Sequence, residues 1–132
     1  MGKKVTVRWA DTSSRHDYPA AAAYSSLLAP ATVVEPVVRL LAHATTVDHD
    51  AKDILRAARL PLPAVDESEV KRDITKIRKG RRLAPVLLVR GDLSAGRSLQ
   101  IADGYHRVCA SYHTTDDMKV ACHIIELPTV AG

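Results

Sequence analysis

The chain has 132 residues and is 46% hydrophobic, which suits one domain with a buried core. Its 19 Lys and Arg against 15 Asp and Glu give a formal charge of +4, which permits an anionic partner without choosing nucleic acid over a nucleotide. Two cysteines exclude a disulfide-dense framework, and no run of about 20 apolar residues offers a membrane span.

The basic start MGKKVTVRWADTSS lacks the long apolar stretch of a secretory leader. The expectation is a reduced, cytoplasmic protein with no membrane contact. Four Tyr, one Trp and no Phe make the aromatic share thin, so Leu, Val and Ile must fill the core.

In chain order, Val5 to Trp9 alternates as a short strand. Asp17 is placed to cap a helix through DYPAAAAYSSLL, with Pro19 in its first turn and Tyr24, Leu27 and Leu28 on the packed side. ATVVEPVVRLLAHAT reads as a second helix, against the strand preference of its β-branched residues. There Thr32 and Glu35 resemble a capping box, Pro36 falls in the first turn, and Val37, Leu40, Leu41 and Ala44 share a face. Asp50 to Leu60 is a third helix with Ile54, Leu55 and Ala58 inward, and the prolines of LPLPAV end it in a connector. Glu67 to Lys79 is helical, capped by Ser68 or Asp66, with Val70, Ile74 and Ile77 as its apolar stripe and Gly80 as its stop. Pro85 to Arg90 and Ser98 to Asp103 are antiparallel strands joined by GDLSAGR. Gly104 then admits a tight entry to a helix over Tyr105 to Tyr112, and MKVACHII closes the order as a strand.

The strand-to-helix junction Asp103-Gly104-Tyr105-His106-Arg107 carries the chemistry. Such a turn aims backbone amides and a helix dipole at an anion. Gly104 clears the close approach, Arg107 supplies charge-assisted hydrogen bonds, and His106 donates another or moves a proton. A structural reading stands beside this one: Gly104 relieves backbone strain, His106 is a satisfied polar residue, and Arg107 pairs with Asp103 or an acidic loop.

KRDITKIRKGRR, Lys71 to Arg82, holds seven positive residues and one Asp. Lys71, Arg78, Arg81 and Arg82 either extend a phosphate channel or form a solvated helix face and its exit loop; nucleic-acid binding requires their convergence on one surface. His106, Cys109, His113, Cys122 and His123 suggest zinc, but Cys122 and His123 alternate faces on a strand, so no structural metal is expected.

LAPVLLVRGDLSAGRSLQIADGYHRVCASYHTTDDMKVACHII resembles the core of the ParB–sulfiredoxin superfamily, over roughly Leu60 to Leu127. The resemblance implies an α+β or α/β fold in a single domain, 1–132. It would have a ParB–sulfiredoxin-like core over about 60–127 and additional N-terminal helices over about 1–59 as an extension or cap. It makes Gly104, His106 and Arg107 the phosphate-binding turn, with Asp103 and Tyr105 supporting. It also implies a phosphate-containing small molecule as ligand, with ATP, ADP or CTP as candidates and Mg as a candidate companion. Tyr105 stands where sulfiredoxins carry their reactive Cys, and a phenol does not replace a thiol in sulfinic-acid chemistry. Cys109, one helical turn on, reads as a small buried residue. YHR also departs from the ERR-type turn of ParB partition proteins. The serine-kinase branch implies an alternative, an ADP- or ATP-dependent small-molecule kinase, with Asp73, Glu69 or Asp103 as alcohol-activating base. A non-catalytic nucleic-acid-associated protein is the third reading.

Overall fold

The computed structural model describes residues 5–62, 64–115 and 117–128. Its centre is a four-stranded mixed sheet in the order β2-β6-β4-β5, built from β2 (Thr46–Asp50), β4 (Val86–Val89), β5 (Gln100–Asp103) and β6 (Lys119–Ile125). Strand β4 runs parallel to β6 and antiparallel to β5, and β2 runs antiparallel to β6. The fold is therefore mixed α+β.

Strand β4 is VLLV, buried at all four residues, because both faces of the sheet are covered. Alternation divides its side chains between two cores. Val86 and Leu88 join Ile101, Val120 and Cys122 beneath α3 (Ala51–Ala58), α4 (Ser68–Arg78) and α5 (Tyr105–Thr114). Leu87 and Val89 join Ala102 and Ile125 beneath α1 (Asp17–Ser25) and α2 (Ala31–His43). A separate two-stranded parallel pair joins β1 (Arg8–Trp9) to β3 (Arg82–Leu83), which draws the expected Val5 to Trp9 strand in to its last two residues.

Several local expectations are corrected. The first helix does not pack through Tyr24, Leu27 and Leu28, which are 37%, 83% and 62% exposed. It ends at Ser25, so both leucines lie in turns beyond it, and it buries Ala21 instead. Its N-cap is His16 rather than Asp17, which is the first helical residue. The second helix starts earlier than Thr32, with Pro30 as N-cap and no side-chain cap. Pro36 consequently sits in the second turn, where it withholds a backbone donor. Its buried stripe is Val34, Val37 and Leu41, while Leu40 faces out.

Helix α4 is capped by neither Ser68 nor Asp66. The Glu67 carboxylate accepts from the amides of Glu69 and Val70 at 3.1 and 3.0 Å. Helix α3 begins where expected, with Asp50 as N-cap and Ile54, Leu55 and Ala58 buried. Strand β2 was not expected at all. TVDHD is an edge strand with four exposed residues and one half-buried, so it carries no apolar alternation to read. It also places sheet backbone ahead of residue 60, where the core was expected to start.

Candidate functional site

The junction between β5 and α5 has the expected form. Gly104 is the N-cap residue at φ 107°, a backbone region that side chains disfavour. A Cβ there would lie 2.5 Å from Val86 Cγ1, on the buried strand β4. Glycine thus lets α5 start directly against the sheet. The first-turn amides of such a helix have no acceptor within the helix.

Arg107 lies in that first turn, but its guanidinium is already engaged. Nη2 donates to Asp103 Oδ2 at 2.5 Å, and Nη1 donates to Asp17 Oδ2 at 3.2 Å and to the Ala84 carbonyl at 2.9 Å. One side chain therefore ties the end of β5, the start of α1 and the link between β3 and β4. Asp17 lies 90 residues away in sequence and was legible only as a helix-start residue. Burial pushes the Asp103 carboxyl up to about 6; Arg107 opposes the shift and the neighbouring Asp17 adds to it.

The turn opens onto a polar cavity of about 360 Å³. Gly104, Tyr105, His106 and Arg107 line it, together with Asp103, Asp17 and Ser14. Helix α4 contributes Glu69, Asp73 and Lys76, and β3 contributes Arg82. All three carboxylates considered as bases are thus at one cavity. Asp73 is buried, and desolvation raises its carboxyl pKa against the opposing charge of Lys76, 4.0 Å away. Glu69 is held by Arg72 at 3.3 Å.

His106 is half-buried, with Nε2 3.9 Å from the Glu67 carboxylate that caps α4. Tyr105 donates its hydroxyl to the Pro61 carbonyl, anchoring the connector, and burial raises its phenol to about 12. Of the basic residues singled out in the sequence, Arg82 reaches the cavity. Lys71, Arg78 and Arg81 are exposed and do not line it; Arg78 borders a different hollow with Ile74 and Ile77. Lys76 also reaches the cavity and was not singled out in the sequence.

The Cys and His residues do not assemble. Among the described residues, no group of three or more His, Cys, Asp or Glu is placed to hold a metal. Cys109 and Cys122 are buried, and desolvation pushes their thiols up to about 11 and about 12, well away from a reactive thiolate. His123 Nδ1 bonds the Ala44 carbonyl at 2.9 Å, on the side of the sheet covered by α2. Among the described residues, no helix is long and apolar enough to cross a membrane.

Compared with protein-family models, with curated proteins and with solved structures, the chain matches none of them.

Proposed function

We propose that the cavity at the start of α5 binds the phosphate of a nucleotide or another phosphate-containing small molecule, and that the chain is a divergent relative of the ParB–sulfiredoxin superfamily. The observation that carries this reading is the convergence of the Gly104 turn, His106, Arg107, Arg82 and Lys76 on one cavity of about 360 Å³. That volume is in the range of small-molecule sites. The amides at the start of α5 supply fixed donors, and Arg82 and Lys76 supply charge. Arg107 organises the site through its bonds to Asp17, Asp103 and the Ala84 carbonyl. The resemblance rests on the PVLLVR strand with the helix before it, the DGYHR turn, and the helix–strand pair that follows.

A small-molecule kinase is the second reading, favoured by Asp73 and Asp103. Both are carboxyls raised by burial, and both border the cavity that holds the phosphate turn. A carboxylate of raised pKa is the better base for an alcohol. The nucleic-acid reading draws less support, because Lys71, Arg78 and Arg81 lie outside the cavity.

Structures determined after soaking with ATP, ADP and CTP, each with and without magnesium, test the assignment. Phosphate density within hydrogen-bond reach of the Tyr105, His106 or Arg107 amides is the expected result. Ligand density elsewhere only, with that turn unoccupied in every soak, would overturn it.

A further inference from the structure

Resting on the phosphate reading of the cavity at the start of α5, we infer that this cavity recognises a sugar or polyol phosphate. Asp73 accepts hydrogen bonds from hydroxyls of the carbon skeleton, and any base attached to that skeleton lies outside the cavity.

Packing does not account for Asp73. It sits on the buried face of α4 with Val70, Ile74 and Ile77, and is itself 9% exposed. It lines the cavity, yet its carboxylate accepts no hydrogen bond among the described residues. Its ion pair with Lys76 is 4.0 Å long, beyond hydrogen-bond reach. A buried carboxylate without a donor is destabilising, whereas an apolar side chain at the same position would extend the face of the helix. Lys76, Arg107 and His106 each oppose the upward push of burial on this carboxyl, so it lies within the field of the Gly104 turn.

The other carboxylates of the lining are already engaged. Asp17 and Asp103 share Arg107, and Glu69 pairs with Arg72 at 3.3 Å. Of the Lys and Arg side chains that line the cavity, Arg82 is the one with no ion pair among the described residues. A phosphate group therefore has Arg82 and the first amides of α5 as donors. Asp73 has its charge balanced by Lys76 and lacks only a hydrogen-bond donor. A hydroxyl supplies that donor without charge. An ammonium group would set a second cation beside Lys76.

The lining offers a base no slot. Bases are held against aromatic or apolar faces. Here the aliphatic lining is Leu83, itself buried, and Ala84. The Tyr105 ring packs against the core, and its hydroxyl is donated to the Pro61 carbonyl. The His106 ring leans on Tyr105, with centroids 5.3 Å apart, and no further aromatic residue lines the cavity among the described residues. A volume of about 360 Å³ stands near the lower end of small-molecule sites and suits a compact polar ligand.

The probes are ribose 5-phosphate, inorganic phosphate, adenosine 5′-monophosphate and phosphoethanolamine, titrated into the full chain and followed by calorimetry and amide chemical shifts. Ribose 5-phosphate is expected to shift the amides of Tyr105, His106 and Arg107, and to bind at least about tenfold more tightly than inorganic phosphate through hydrogen bonds to a charged acceptor. Adenosine 5′-monophosphate is expected within about threefold of ribose 5-phosphate, and phosphoethanolamine below it. Asp73→Ala is expected to cut the preference for ribose 5-phosphate over inorganic phosphate to within about threefold, with the thermal midpoint kept or raised. Asp73→Asn keeps the side chain's size and one accepting oxygen, and is expected to lower the same preference by about threefold or more; it carries the comparison if the alanine variant does not fold. A preference unchanged in the folded variants overturns the proposal. So does inorganic phosphate or phosphoethanolamine binding as tightly as ribose 5-phosphate, or adenosine 5′-monophosphate binding more than about tenfold more tightly than it. If those results come with shifts at amides 105–107, the phosphate reading survives and the role of Asp73 falls. If no probe moves those amides, both fall.

Discussion

Asp103 and Arg107 face each other across one turn at the start of α5, with Oδ2 and Nη2 2.5 Å apart. Because the same guanidinium reaches Asp17 and the Ala84 carbonyl, the pair joins three parts of the chain as well as lining the cavity. Arg107→Ala is therefore expected to cost about 2–4 kcal/mol of stability, since it leaves two half-buried carboxylates without their cation. Urea denaturation of the wild type and variant measures this. A loss within about 0.5 kcal/mol, the range of ordinary surface substitutions, would show that the three contacts do not hold the elements together.

The pH dependence of stability should carry the signature of Asp103. Its folded pKa is about 6 against an ordinary value of 3.8, so the native state holds the extra proton between those values. The sign follows from linkage: stability from this group is fully present below about 3.8 and is lost as pH rises through about 6. Asp17 and Arg107 are the charged groups facing it, and Asp103→Asn removes the titration while keeping the side chain's size. Denaturation midpoints compared at pH 4.5 and 7.5 should fall more with rising pH in the wild type than in Asp103→Asn. Equal pH dependence in the two proteins would remove Asp103 as the cause.

Gly104→Ala tests the junction itself. The added Cβ meets Val86 at 2.5 Å on a strand that is buried on both sides, and the residue must keep φ 107°. Overpacking and left-handed strain together predict a loss of about 2–4 kcal/mol. Thermal denaturation reads it, and an unchanged midpoint would mean that α5 can begin without the close approach to β4.

Charge removal on α4 and the turn after it separates the small-molecule and nucleic-acid readings. Lys71, Arg78 and Arg81 lie outside the cavity at the start of α5, so if that cavity binds nucleotide, replacing all three with Ala should leave ADP affinity within about twofold, a difference of under about 0.5 kcal/mol. Binding to single- or double-stranded DNA, measured across a salt series, should show no slope that these charges control. A steep salt dependence abolished by the triple replacement would favour the nucleic-acid reading instead.

The parts of the fold that were legible in the sequence are those with strong periodicity or strong punctuation. Val70, Ile74 and Ile77 marked one face of α4, Pro85 to Arg90 marked a strand that forms over Val86–Val89, and Gly104 marked the change from strand to helix. Edge strand β2 was not legible because TVDHD buries almost nothing. The packing of α1 was misread because Leu27 and Leu28 keep helical spacing on paper, while the helix stops at Ser25. At the cavity, the DGYHR turn and Arg82 were the residues singled out by type and position. Asp17 was not, since its meeting with Arg107 arises only when α1 is laid against β5. No local pattern encodes a contact between residues so far apart in the chain.

The phosphate assignment is tested most directly by an amide-resolved titration with ADP, with and without magnesium. The largest shifts are expected at the amides of Tyr105, His106 and Arg107, with Arg82→Ala weakening the affinity about tenfold through one lost charged hydrogen bond. Saturating binding that leaves those three amides unmoved and is indifferent to Arg82→Ala, or no binding of ADP, ATP or CTP at millimolar concentration, would contradict it.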